Sequence, residues 1–168
     1  AVSVMQYPDE GYLPQALLNY LVRLGWSHGD QEIFSREEMV ELFSLEAINR
    51  APAAVNPDKL LWLNQHYIKT LPVETLAEQL QWHLQAQNLD VSNGASLADV
   101  INAQRERAKT LVEMVAISRY FYEEFSEFDP VAVQKQFKAD TAANLQVVHD
   151  ELISLTEWRG EPIHTAIQ

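Results

Sequence analysis

GYLPQALLNYLVRLGW, residues 11–26, and NPDKLLWLNQHYIKTLP, residues 56–72, read as two amphipathic helices, and the rest of the chain is read outward from them. Pro14 is tolerated in a first helical turn, where its missing N–H costs nothing. Leu17, Leu21 and Leu24, with Tyr20, fall on one face of a helix running from about residue 13 to 24, and Gly25 stands where a left-handed cap is expected. In the second stretch Leu60, Leu61, Asn64, Tyr67 and Ile68 make an inward face by their three- and four-residue spacing. Lys59, Trp62, His66 and Lys69 fall on the other side, at i, i+3, i+7 and i+10. Two lysines, a histidine and a tryptophan suit RNA: the cations meet phosphates, and the ring covers a ribose or a base. The plainer reading is that Trp62 packs on a neighbouring domain and the lysines are ordinary surface.

Elsewhere the chain also reads as helices with turns between them. Residues 2–7 (VSVMQY) are a short β-prone segment before the turn formers Pro8, Asp9, Glu10 and Gly11. Ser35 and Glu38 form a capping box that opens a helix with Met39, Leu42 and Phe43 inward. Residues 49–55 are a loop containing Pro52, and Pro72 marks a boundary. Helices are then predicted over about 73–88 and 96–108. Thr110 and Glu113 supply a second capping box, so a corner is expected there rather than one long helix. The helix beyond it, to about residue 125, is apolar nearly all round (Leu111, Met114, Val115, Phe121, Tyr122, Phe125), which predicts burial at the centre of a bundle. Leu145, Val148, Leu152 and Leu155 keep helical spacing over 141–155. A further helix opening at 160–162 has only about two turns before Gln168, too few to stand unpartnered. That end reads as a truncation, and the opening on Ala1 as an excised beginning.

Composition bounds the function. The chain is 47% apolar over 168 residues with only five glycines, ample for a helical core. The absence of cysteine excludes disulfides, thiolate metal sites and cysteine nucleophiles. No run approaches the roughly 18–20 apolar residues of a membrane span, and no basic-then-apolar leader opens the chain, so a cytoplasmic protein without membrane partners is expected. Twelve basic against 24 acidic residues give a net charge of −12. That argues against generic nucleic-acid binding, which neutralises phosphates with Lys and Arg. It predicts weak nonspecific binding, with dependence on shape and a few well-placed contacts.

A second candidate site is QRERAK, residues 104–109. On a helix Arg105 and Lys109 share a face, while Arg107 sits at the edge of the apolar stripe, beside the expected corner. Basic side chains at a helix C-terminus complement its dipole, which is the plain explanation. The functional one is a guanidinium held at a corner with paired donors for a base edge. The five histidines show no metal-ligand spacing, and no nucleophile elbow or Gly-rich phosphate loop occurs, so neither catalytic nor metal residues are expected in this chain.

Four stretches carry a resemblance: residues 11–34 and 56–68, RERAKTL at 105–111 and RYFYEEF at 119–125. They resemble the C-terminal half of bacterial glutamyl-tRNA synthetases, class I enzymes, beginning just after the ATP-handling signature loop. The resemblance implies a mainly α fold, with at most a short N-terminal strand. It implies a stem-contact domain over 1–71, a first helical anticodon-binding domain over 72–139, and the truncated start of a second over 140–168. Lys59 and Trp62 match positions that contact the tRNA D-arm. Arg107 matches the arginine that checks the third anticodon base and separates glutamate from glutamine tRNA, although its neighbours Glu106 and Ala108 depart from some relatives. His66, Lys69, Arg105 and Lys109 are further RNA-binding candidates by position.

The implied function is the tRNA-binding, non-catalytic part of a glutamate–tRNA ligase. The partners implied are tRNA(Glu), a catalytic domain upstream and the remaining anticodon-binding domain downstream, in a monomer. No cofactor is expected in this chain; ATP with magnesium is expected for the whole enzyme. A stand-alone helical module binding a protein partner through the Trp62 face is the alternative, and a small carboxylate enzyme a third.

Overall fold

The computed structural model describes residues 3–49 and 53–168. Among them every regular element is helical: α1 (Gln6–Asp9), α2 (Pro14–Gly25), α3 (Arg36–Leu42), α4 (Pro57–Thr70), α5 (Val73–Ala86), α6 (Leu97–Gln104), α7 (Leu111–Ser118), α8 (Pro130–Gln136), α9 (Thr141–Ser154) and α10 (Gly160–Ile167), with 3-10 turns at Leu45–Ala47 and Arg119–Phe121. The mainly α expectation holds, and the β-prone start is no strand from residue 3 onward: Gln6–Asp9 is a helical turn. Val2 and the loop positions 50–52, Pro52 among them, lie outside the described residues. The chain divides into two compact units, Ala1–Glu124 and Phe125–Gln168.

In the first unit α2 packs on α4, and α5 packs on α6 and α7. One cluster joins Leu13, Ala16 and Tyr20 to Leu60, Leu63 and Ile68, and continues through Leu76, Leu80 and Leu84 to Leu111, Met114 and Val115. The core is therefore continuous across Pro72. The inward stripes differ from the expected ones by a few side chains. On α2, Leu21 is exposed, and the buried positions are Ala16, Asn19 and Tyr20. On α4, Leu63 takes the inward place expected of Leu61. On α2 the buried Asn19 centres the buried face away from the most apolar arc; on α4 the buried face stays on it.

Caps explain most of the boundaries. Asn56 accepts from the Lys59 N–H at 3.1 Å and Pro57 fills the first turn of α4. The Ser35–Glu38 capping box has both its bonds. Gly25 is the last residue of α2 and not a left-handed cap; Trp26 leaves the helix extended. The left-handed cap belongs to Asn88 after α5, at φ 53, where the Leu89 N–H reaches the Leu84 carbonyl at 3.0 Å and the Asn88 N–H reaches the Gln85 carbonyl at 3.0 Å. Gly11, at φ 84, is required by close approach as well as by conformation. A Cβ there would lie 2.6 Å from the Val112 nitrogen and 2.8 Å from the Leu111 nitrogen.

Two expected helices end early. α6 stops at Gln104 and not Ala108, because the Gln104 carbonyl takes both the Arg107 and Ala108 N–H groups and turns the chain. The apolar helix after the corner ends at Ser118 and continues only as a 3-10 turn, so Phe125 is exposed rather than central. In the second unit α9 and α10 pack together and Phe125, Phe128 and Phe137 meet edge to face at 5.1 and 5.7 Å. The stripe Leu145, Val148, Leu152, Leu155 has the expected spacing, yet no described residue of this unit is fully buried.

His83 of α5 lies inside the first unit, and burial pushes its imidazole below the ordinary value, Asp9 pulling weakly the other way. The unfolded chain takes up that proton at the ordinary value while the folded chain resists it. Stability present at neutral pH is therefore lost as the pH falls through and below about 6.5, the ordinary imidazole value. The thermal midpoint should drop between about pH 7.5 and 5.5, and drop less in His83→Leu. Equal drops in the two proteins would remove His83 from the account.

Candidate RNA-binding surface

α4 separates a wet face from a dry one. Trp62 stands 47% exposed at the middle of the helix, with His66 beside it at a ring separation of 6.4 Å. Lys59 and Lys69 lie one turn before Trp62 and two turns after it, and both are half-buried. Neither is a free cation. Lys59 Nζ is paired with the Glu32 carboxylate, which Arg23 also approaches at 3.4 Å; the bond from Lys59 is the main cause holding the Glu32 carboxyl below its usual range. Lys69 Nζ is 2.9 Å from Glu106.

The dry face holds the surface in place. Asn64 is fully buried: its Oδ1 accepts the Leu13 N–H at 2.8 Å, and its Nδ2 donates to the Lys109 carbonyl at 2.7 Å and the Gly11 carbonyl at 3.3 Å. One side chain thus ties α4 to the start of α2 and to the end of the 105–110 corner. One turn on, the Tyr67 hydroxyl lies 2.8 Å from Asn19 Oδ1 and 2.9 Å from the Phe34 carbonyl. Asn19 also accepts the Phe34 N–H at 2.9 Å and donates to the Glu32 carbonyl at 3.0 Å. This buried network fixes the backbone that carries Glu32 opposite Lys59.

The expected corner is present, and it is fastened on three sides. Ala108 is fully buried. Thr110 accepts the Glu113 N–H at 3.1 Å, but the Glu113 carboxylate bonds the Lys109 N–H, at 2.7 Å, and so reaches one residue further back than a capping box does. Arg105 spends its guanidinium on the end of α4: Nε and one terminal nitrogen donate to the Ile68 carbonyl at 3.2 and 2.9 Å, and the latter also to the Leu71 carbonyl at 2.6 Å. Those donors satisfy carbonyls left open by the helix end, so Arg105 acts as a staple in this structure. Arg107 is exposed and among the described residues its side chain has no hydrogen bond or ion pair; Lys109 is likewise exposed.

The seven candidates therefore sort by what each side chain is doing. Trp62, His66, Arg107 and Lys109 present unspent groups, Lys59 and Lys69 are held by carboxylates, and Arg105 is bound to backbone. Sequence reasoning missed Glu32 and Glu106 as parts of this surface. Only Glu106, adjacent to Arg107, carried any local signal. A cleft of about 540 Å3 lies between α2, α3 and the end of α4 and includes none of the seven. Among the described residues no group of three His, Asp or Glu is gathered as a metal site, and no helix is long and apolar enough to cross a membrane.

Residues 75–168 match the family model for an anticodon binding domain, which takes in Arg105, Arg107 and Lys109. Residues 1–62 match that for the catalytic domain of class I tRNA synthetases of the E and Q type, which takes in Lys59 and Trp62. Among solved structures, a glutamate tRNA ligase from Elizabethkingia meningosepticum in complex with its amino acid aligns over 95% of this chain and 32% of its own, with a TM-score of 0.82 and 30% identity. A glutamate-tRNA synthetase from Elizabethkingia anophelis aligns over 95% and 31%, with a TM-score of 0.76 and 28% identity. The chain spans about a third of the length of these two proteins.

Proposed function

The chain belongs to the anticodon-binding family of the class I glutamyl- and glutaminyl-type tRNA synthetases, and from that membership we propose that it is the tRNA-reading part of a glutamate–tRNA ligase acting on tRNA(Glu). In this reading residues 1–71 touch the inner side of the tRNA elbow, 72–139 reach the anticodon loop, and 140–168 open a second anticodon-binding domain. Activation of glutamate with ATP and magnesium, and its transfer to tRNA, belong to the rest of the enzyme.

The observation that carries this reading is the exposure of Trp62 on the same continuous core that anchors Ala108, beside the exposed Arg107. An aromatic face with adjacent cations serves RNA without reading its sequence, since every sugar and base offers a surface to cover. A guanidinium on an anchored corner has the directional donors needed to tell one base edge from another. Together they make two contact points at fixed separation, which suits a partner recognised by shape. The net charge of −12 fits this, because little affinity comes from bulk electrostatics.

Trp62→Ala should weaken binding of a tRNA(Glu) transcript to the chain by about tenfold, the scale of one lost stacking contact. A low-salt filter-binding titration measures it. Binding no tighter than that of an unrelated acidic protein would end the proposal; wild-type affinity in Trp62→Ala would remove the α4 face from it.

A further inference from the structure

Both lysines of the α4 face already have a carboxylate partner, supplied from elsewhere in the chain. Glu32 comes from the strapped loop after α2 and Glu106 from the corner beside Arg107, and the paired lysine side chains keep 37% and 35% of their exposure. The pairs are thus accessible to solvent. Exposed pairs of this kind are weak, so a well-placed phosphate can displace them. A stray phosphate gains little, because it trades one anion on the lysine for another.

We infer that Glu32 and Glu106 are built-in counter-ions that close the α4 face to arbitrary nucleic acid, by competing with phosphates for Lys59 and Lys69. The inference rests on the RNA reading of that face given above. Its physical content is a changed salt dependence. A lysine that meets a phosphate releases a condensed cation from the RNA, and log K falls with log salt by about 0.9 per contact on a duplex. Here the freed carboxylate takes up a cation at the same step, so part of that release is cancelled. Glutamine keeps the shape and removes the competing charge. Arg23 keeps the Trp26 carbonyl, at 3.4 Å, when Glu32 is neutralised.

The test compares three proteins: the wild-type chain, Glu32→Gln/Glu106→Gln, and a control of equal charge change, Glu37→Gln/Glu41→Gln, whose carboxylates on α3 have no ion pair among the described residues. Each is titrated across a salt series with a tRNA(Glu) transcript and with an RNA of equal length lacking the tRNA fold. The paired variant should bind both RNAs about tenfold more tightly at low salt, with a log–log slope steeper by about one to two; the control should stay near wild type. Equal behaviour of the two variants would overturn the inference, whatever the RNA. The tRNA reading is judged separately, by whether the wild-type chain prefers tRNA to the unfolded-sequence RNA. If none of the three proteins binds either RNA, both ideas fall. Glu106→Gln alone alters a carboxylate that is 70% exposed and leaves the fold intact, so a folding defect in the double variant does not spare the inference.

Discussion

Asn64→Ala should lower the unfolding free energy of the chain by about 3–5 kcal/mol. The reason lies in what the truncation leaves behind. The Leu13 N–H and the Lys109 carbonyl both lose their side-chain partner inside the protein, and the Gly11 carbonyl keeps only the Leu111 N–H, at 2.9 Å. A buried polar group left unpaired costs about 1–3 kcal/mol, and a small cavity adds to it. Asn64→Asp should do no better: it keeps the acceptor for Leu13 but turns a negative oxygen toward two carbonyls. Urea denaturation followed by circular dichroism measures both. A loss below about 1 kcal/mol in Asn64→Ala would mean that α4 does not hold the corner, and the fixed separation between Trp62 and Arg107 would lose its mechanical basis.

How much of this was readable in the sequence depends on how local each cause is. The capping box of α3 is encoded within four residues and was legible, as was the Thr110 half of the cap of α7. So was the outward placement of Trp62, since helical spacing alone puts it opposite Leu60, Asn64 and Ile68. Asn64 was recognisable as an inward residue, but its three partners come from residues 11, 13 and 109. No pattern within α4 points to them. Arg105 misled for the same reason. Its spacing with Lys109 suggests a shared basic face, while its acceptors are carbonyls more than thirty residues earlier. The Lys59–Glu32 pair is likewise invisible along the chain and decides how much positive charge the face really offers. The errors at Leu21 and Leu61 are ones of a fraction of a turn, and on α2 the buried Asn19 accounts for it by rotating the stripe away from its most apolar residues.

The family resemblance added what packing cannot. Physical reading by itself weighed Arg107 as a dipole-complementing side chain against a base reader, and left both standing. The structure separates it from its neighbours, with Arg105 committed to backbone, Glu106 to Lys69 and Ala108 to the core. Those three commitments flank the one guanidinium of the 104–109 run that has no partner among the described residues. A side chain held out by such a corner loses less freedom on meeting a base than one on a mobile loop.

The most direct measurement is therefore the specificity ratio of Arg107→Gln. In the enzyme carrying this chain, the preference for tRNA(Glu) over tRNA(Gln) should fall by about 1–3 kcal/mol, roughly tenfold to a hundredfold in relative aminoacylation, as for one lost bidentate base contact. The fall should come mainly from slower charging of tRNA(Glu), with charging of tRNA(Gln) little changed. An unchanged ratio, with the variant folded and active, would contradict the claim that this corner reads the anticodon.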